Sequence, residues 1–397
     1  MRARRVRRTM AWTVVVVGGL SGASIMALLT TTGLLSNFGG KPEAARLERM
    51  KRSPHFAAGR FHNTAGVGAD LQGGTYGSMA REYFFGDQIR RPPAPLPIED
   101  PLPAWRHTPA GGLRATWLGH STVLLELGAF RVLTDPVWGE RASPSSVVGP
   151  KRFHPPPVPL ATLPRLDAVV ISHDHYDHLD APTIRELARI EVPFFAPLGV
   201  GAHLEKWGVP PDRITELDWW EEARLAGTGL VFTATPAQHF SGRGMGDSNR
   251  TLWASWVIAT PNRRVFFSGD TGLTRELEEI GARKGPFDLV MLEIGAYNPA
   301  WGTIHLGPEN AIEAHRMLGG GPLLPIHWGT FNLAFHSWDE PPETLARLAA
   351  AAGVPLLTPK LGAPVEPSSA GAWAEAWWRT VGARHARADL ASPTPVR

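Results

Sequence analysis

The run Ser172-His173-Asp174-His175-Tyr176-Asp177-His178-Leu179-Asp180 constrains this chain more than any other stretch. It has the form HxHxDH and follows the apolar segment Leu166-Asp167-Ala168-Val169-Val170-Ile171. Four potential metal ligands thus lie within six residues, directly after a β-type stretch. Imidazole nitrogens and carboxylate oxygens suit zinc and similar borderline divalent ions. In extended chain alternate side chains share a face, so His173, His175 and Asp177 can converge, and a turn then brings His178 to a second ion. One such run cannot complete two metal shells, so later strands must supply further ligands.

Three strand ends carry residues of the right kind. Residues 230–235 stop at Pro236-Ala237-Gln238-His239, 264–267 at Ser268-Gly269-Asp270-Thr271, and 323–326 at His327-Trp328-Gly329. Each is a β-type run ended by a ligand-type residue beside Gly or Pro. Singly, such residues are ordinary turn aspartates or core histidines. Together they make seven candidate ligands, five histidines and two aspartates, on a common rim. The expected division is His173, His175 and His239 on one ion, Asp177, His178 and His327 on the other, with Asp270 bridging. Two divalent ions roughly 3.5–4 Å apart can generate hydroxide near neutral pH and clamp the oxygens of an in-line displacement, which gives Asp270 a catalytic role as well. His120 and Asp135 are expected to orient ligand imidazoles by hydrogen bonds.

Composition excludes some alternatives. Hydrophobic content of 43% and charged content of 19% over 397 residues indicate a globular chain, not disorder. Without cysteine there are no disulfides and no thiolate ligands, so a zinc site must use His and Asp. Arg2, Arg4, Arg5, Arg7 and Arg8 contribute five positive charges, and without them the formal balance of +3 becomes −2. The body is therefore near neutral, with no basic patch that points to nucleic acid.

Residues 11–35 contain no charged side chain. At 1.5 Å per residue a helix of that length reaches roughly 37 Å, enough to cross a ~30 Å hydrocarbon layer with tilt. Residues 1–40 therefore read as a basic N-terminus and an uncleaved single-pass signal-anchor, with a cleaved signal peptide as the alternative. The arginines predict an N-in orientation, which places the folded body outside the cytoplasm, periplasmic or extracellular. Residues 41–105 read as an irregular, proline-rich extension whose 53–63 portion wraps the main domain. Strands alternate with helices predicted over 181–190 and 308–318, a pattern of α/β layers. Residues 363–397 read as a tail, with a short amphipathic helix at 372–378.

At this point the chain resembles the metallo-β-lactamase superfamily and, within it, the N-acylphosphatidylethanolamine-hydrolysing phospholipase D family. The resemblance is carried by TWLGH (116–120), LTDP (133–136), RASP (141–144), GPKRF (149–153) and the HDHYDH run. It continues through LDWWEE (217–222), Gln238-His239, GDT (269–271), GAY (295–297) and IHWGT (326–330). HxHxDH alone selects only the superfamily, whereas LDWWEE and IHWGT in this order are far more selective. The resemblance covers about 250 residues, with a weaker echo at 53–63. It implies an αββα sandwich over 106–362, a pair of zinc ions at one edge of the two sheets, and a phospholipid substrate; it leaves a homodimer open.

The same resemblance points to His305 as a catalytic histidine that is not a ligand. Placed just before a helix at the rim, its imidazole could protonate a leaving alcohol. His315 and His336 read as ordinary. Trp219, Trp220, Trp253, Trp256 and Trp328 read as core or pocket wall, and Arg243 or Arg250 as candidates to neutralise phosphate. Glu293 and residues 298–303 flank the site without a recognisable pattern. The leading expectation is a membrane-anchored zinc phosphodiesterase of phospholipase D type acting on N-acylphosphatidylethanolamine-like lipids. The alternatives are another hydrolase of the superfamily, such as a sugar-phosphate lactonase, and a non-catalytic metal-binding envelope protein.

Overall fold

The computed structural model describes residues 37–66, 68, 76–244, 246–368 and 375–381. The expected membrane segment, residues 11–35, lies outside them. Among the described residues no helix is long and apolar enough to cross a membrane.

A short hairpin, β1 (Phe56–Ala57) and β2 (Arg60–Phe61), precedes two large sheets. The first sheet contains β3 (Leu113–Gly119), β4 (Thr122–Leu127), β5 (Phe130–Thr134), β6 (Ala168–Val170), β7 (Phe194–Pro197) and β8 (Ile214–Leu217). The second contains β9 (Glu222–Arg224), β10 (Val231–Thr235), β11 (Ser255–Ala259), β12 (Arg264–Phe267), β13 (Leu289–Glu293) and β14 (Leu323–Ile326). A last strand, β15 (Pro364–Val365), returns to the first sheet and pairs with β3. In each sheet an antiparallel part gives way to a parallel part, β5 to β8 in the first and β12 to β14 in the second. Parallel strands need both faces covered, which explains why β6, β7 and β13 are buried throughout and apolar except for Glu293 at the end of β13.

Alternation along the strands sorts their side chains into two layers. Leu124, Leu133, Val169 and Phe194 pack outward with Ile184, Leu187 and Leu204 of the helices Ala181–Leu187 and Gly201–Lys206. Val123, Leu125, Val132, Val170 and Phe195 belong to the core shared with the second sheet. There Phe195 stacks on Phe232, ring centroids 3.9 Å apart, and the Trp256 indole donates to the Ile171 carbonyl. Helices Glu276–Lys284 and Gly307–Met317 contribute Leu277, Ile280, Ala311 and Ala314 to the same core from beyond the second sheet. The architecture is the αββα sandwich.

Local signals fix the helix ends. Asp180 accepts the Thr183 N–H at the start of Ala181–Leu187. Gly353, with φ of 67°, ends Glu340–Ala352 in the left-handed conformation that glycine tolerates best. The extension is fastened to this body. Helix Ala44–Lys51 places Arg46 on Glu205 and Glu216, and Met50 and Phe61 enter the core.

The apolar core also continues past the expected boundary at residue 362. Besides β15, Trp377 and Trp378 are each only 1% exposed and stand 5.4 and 5.7 Å from the Trp328 ring. Residues 372–374 of the expected tail helix lie outside the described residues. Burying an indole contributes at most about 4–6 kcal/mol by area, so residues 375–381 are part of the packed body.

Candidate metal centre

Every expected ligand sits just beyond a strand end at one edge of the sandwich. The loop after β6 carries His173, His175, Asp177 and His178, the end of β10 leads to His239, β12 to Asp270 and β14 to His327. Nε2 of His173 and Nδ1 of His175 are 2.9 Å apart, and Nε2 of His239 is 3.3 Å from the same Nδ1. Ligands at 2.0–2.1 Å from a tetrahedral ion are roughly 3.3 Å from one another. Three nitrogens at these spacings therefore face a common point.

A second group is built from Asp177, His178 and His327. Oδ2 of Asp177 is 3.4 Å from Nε2 of His178 and 3.3 Å from Nε2 of His327. Asp270 lies between the groups. Its Oδ1 is 3.2 Å from His178 and its Oδ2 3.1 Å from His327, while the same Oδ2 is 3.7 and 3.9 Å from His239 and His173. Nε2 of His178 and Oδ1 of Asp270 are buried without a hydrogen-bond partner. Buried polar atoms left unpaired are costly, and a cation between them removes that cost. The donor set, its spacing and these orphaned atoms fit a pair of divalent ions.

The surrounding hydrogen bonds aim the rings. The Asp135 carboxylate takes Nδ1–H of His178 at 2.7 Å together with the Ser172 N–H and hydroxyl. His239 gives its Nδ1–H to the Ile304 carbonyl, 3.0 Å away. His120 departs from the expectation that it orients an imidazole. Its Nε2 is 2.8 Å from the Asp177 carboxylate, because the tight β3–β4 turn points the ring into the second group. His120, Asp135 and His327 have φ of 53°, 32° and 64°, conformations that cost non-glycine residues about 1–3 kcal/mol each and gather at functional sites.

Electrostatics follow the same division. Burial, with neighbouring imidazoles, holds His173 and His239 well below the ordinary imidazole range. Burial also opposes charge on His178 and His327, but the Asp270 and Asp177 carboxylates override it. They raise His178 well above its usual value and push His327 up to about 10. Asp177 and Asp270, although buried, are held well below the carboxylate range, both by His178, with His120 adding for Asp177 and His327 for Asp270. In the metal-free protein the carboxylates thus favour protons on His178 and His327, and a metal ion would displace them.

His305 stands at the open side. Its ring lies 5.4 Å from that of His327 and 5.0 Å from that of His239, and its Nδ1 is 3.9 Å from Oδ2 of Asp270, so it borders both ligand groups. Phe240 against His175, Phe331 against His120 and Trp301 against His305 form an aromatic rim. Of the two candidate arginines, Arg243 is committed elsewhere. Arg243 is buried and donates to the carbonyls of Asp174, Leu179 and Asn37, which makes it a brace behind the ligand loop, and Arg250 is exposed. His315 bonds the Gly321 carbonyl and His336 accepts the Ala296 N–H. Trp219, Trp253, Trp256 and Trp328 are buried, and Trp220 lies under Arg283.

Sequence reasoning missed three contributors. Asn63 holds the His239 backbone at both N–H and C=O, and only the faint echo at 53–63 signalled it. Gln238 ties that loop to Thr303, two residues before His305. Glu293, the third, contacts His305 directly.

Comparison with known proteins agrees with this geometry. Residues 130–328 match the beta-lactamase superfamily domain. An uncharacterised protein of Mycobacterium tuberculosis is 46% identical over 368 residues, 90% of this chain and 97% of that protein. The N-acyl-phosphatidylethanolamine-hydrolyzing phospholipase D 1 of Caenorhabditis elegans is 42% identical over 248 residues, 60% of this chain and 70% of that enzyme. Among solved structures, an isothiocyanate hydrolase from Delia radicum gut bacteria shares the fold with a TM-score of 0.52 and 22% identity, covering 64% of this chain and 98% of that one. With its His and Asp ligands gathered at one sheet edge, the chain belongs to the beta-lactamase superfamily and is one of its metal-dependent hydrolases.

Proposed function

We propose that the protein is a zinc-dependent phosphodiesterase of phospholipase D type, acting on N-acylphosphatidylethanolamine-like lipids. The observation that carries the reading is the position of His305, a further polar side chain beside the seven ligands, with its ring 5.0 Å from that of His239 and 5.4 Å from that of His327. An alkoxide leaving phosphorus calls for a proton donor at such a place. The similarity to the nematode phospholipase D supports the lipid class, and the aromatic rim of Phe240, Trp301 and Phe331 offers apolar walls for it.

Two zinc ions held by His173, His175, His239, Asp177, His178, His327 and the shared Asp270 would supply hydroxide near neutral pH and charge for the phosphoryl oxygens. The protein's own part is to orient the ligands through Asp135 and Ile304, and to hold His305 where it can give a proton to the departing head-group oxygen. The products are phosphatidic acid and an N-acylethanolamine-type alcohol. Residues 11–35, free of charge, would keep the active site at a membrane and outside the cytoplasm.

The test is an assay of the zinc-loaded protein against a phospholipid diester, a lactone and a β-lactam. Hydrolysis of the diester with a kcat/KM well above the other two is expected. Preference for the lactone would overturn the reading. His305→Ala should retain both ions and lose about 10²–10⁴-fold in kcat on the phospholipid, but much less on a nitrophenyl diester, whose leaving group needs little protonation.

A further inference from the structure

Glu293 ends β13, a strand otherwise made of Leu289, Val290, Met291 and Leu292, and is completely buried. Among the described residues no lysine or arginine pairs with it, and His305 is its one ion-pair partner. Burying a carboxylate costs several kcal/mol unless it is well paired, so its place in an apolar strand calls for a function. Oε1 accepts the Leu306 N–H at 2.9 Å, lies 3.4 Å from the Thr271 N–H, and is 3.1 Å from Nδ1 of His305. An oxygen that already accepts two backbone N–H groups is placed as an acceptor toward its third neighbour as well. Nδ1 of His305 must therefore be the donor in the third contact.

We propose that Glu293 is the positioning residue for His305, holding the imidazole with Nδ1–H bonded to its carboxylate so that Nε2 is the edge that handles the substrate proton. Three features agree. Nε2 is at the other edge of the ring from Glu293, and the His305 side chain keeps 11% exposure. The ring lies 25° from the plane of His327, fixed in tilt as well as in tautomer. The backbone N–H of Leu306 shares the same oxygen, so orientation of the loop and of the ring are coupled.

The chemistry of this inference rests on the phosphodiesterase reading, while the tautomer does not. As water-derived oxygen bonds to phosphorus, the bond from phosphorus to the head-group oxygen breaks and its electron pair stays on that oxygen. The oxygen takes the Nε2 proton, and His305, left neutral, regains a proton from the water consumed. The carboxylate fixes the tautomer and stabilises the imidazolium before transfer, the part an orienting acid plays toward a catalytic histidine.

Two measurements decide it. Long-range proton–nitrogen NMR of the metal-free protein, with His305 assigned by loss of its signals in His305→Gln, should show the Nδ1–H tautomer. Glu293→Leu should shift His305 toward a mixture. A wild-type Nε2–H tautomer would overturn the proposal. In the zinc-loaded protein Glu293→Gln should keep both ions and its KM while kcat on the phospholipid falls about 10- to 100-fold, with a smaller loss on the nitrophenyl diester. Loss of an ion would make Glu293 a ligand instead, and equal losses on both substrates would reduce it to a structural residue. If the wild type cleaves neither diester, the phosphodiesterase reading fails by itself, and the NMR result still decides the role of Glu293.

Discussion

Oδ2 of Asp135 lies 2.7 Å from Nδ1 of His178, and neither side chain has any exposure to solvent. With its second nitrogen thus engaged, His178 can present only Nε2 to the cluster, and the Ser172 hydroxyl and N–H keep the carboxylate from turning away. Asp135→Ala should therefore weaken the ion held by Asp177, His178 and His327 about 10- to 100-fold, and leave the His173–His175–His239 ion nearly unchanged. Competition with a chromogenic chelator would resolve two affinities, and an unchanged pair would refute the assignment.

Seven converging ligands predict close to two divalent ions per chain when the protein is purified without chelator. Elemental analysis should give that ratio for the wild type and a lower one for Asp270→Ala, whose carboxylate stands between the groups. A wild-type ratio of one or less would rule out the paired site.

Acidity of the metal-free protein should show in its melting temperature. The folded His327 is pushed up to about 10 from 6.5 by the Asp270 and Asp177 carboxylates, against its burial. Its proton therefore stabilises the metal-free fold fully below pH 6.5, and that stabilisation is lost as pH rises through about 10. Chelator-treated protein should melt at progressively lower temperature over that window, whereas zinc-loaded protein, with no such proton to lose, should not. Parallel pH profiles for both forms would contradict this. Zinc binding near neutral pH should also release protons, seen as buffer-dependent heats in calorimetry.

Trp377 packs against Trp328, the residue following the ligand His327. Trp377→Ala should cost about 3–5 kcal/mol in urea unfolding. A loss under 1 kcal/mol would show that the end of the chain is not part of the cooperative core.

Deleting residues 1–36 should release the protein from the membrane fraction, because they contain the uncharged stretch 11–35. In spheroplasts of the native host, added protease should digest the catalytic domain of the full chain. Protection would reverse the proposed orientation.

The metal ligands were legible because their signal is local. HxHxDH follows an apolar strand, and His239, Asp270 and His327 each close a β-type run, so chain order alone places them on a rim. The alternation of strands and helices was legible for the same reason, since their periods are written in neighbouring residues, whereas the αββα sandwich was implied by the resemblance that motifs such as LDWWEE and IHWGT carry. What the linear order could not show is which ring faces which carboxylate. His120 reaches Asp177 from 57 positions away, through a turn in which His120 itself, after Gly119, takes a positive φ. Asn63 grips His239 across 176 positions, and Arg243 turns its guanidinium inward to backbone carbonyls. Glu293 was unreadable as one acid in an apolar strand until folding brought its oxygen to His305. Covalent neighbours and their periodicity determine strands, helices and ligand types. The partners of a buried polar atom depend on desolvation across elements distant in sequence, and only the packed tertiary structure supplies those.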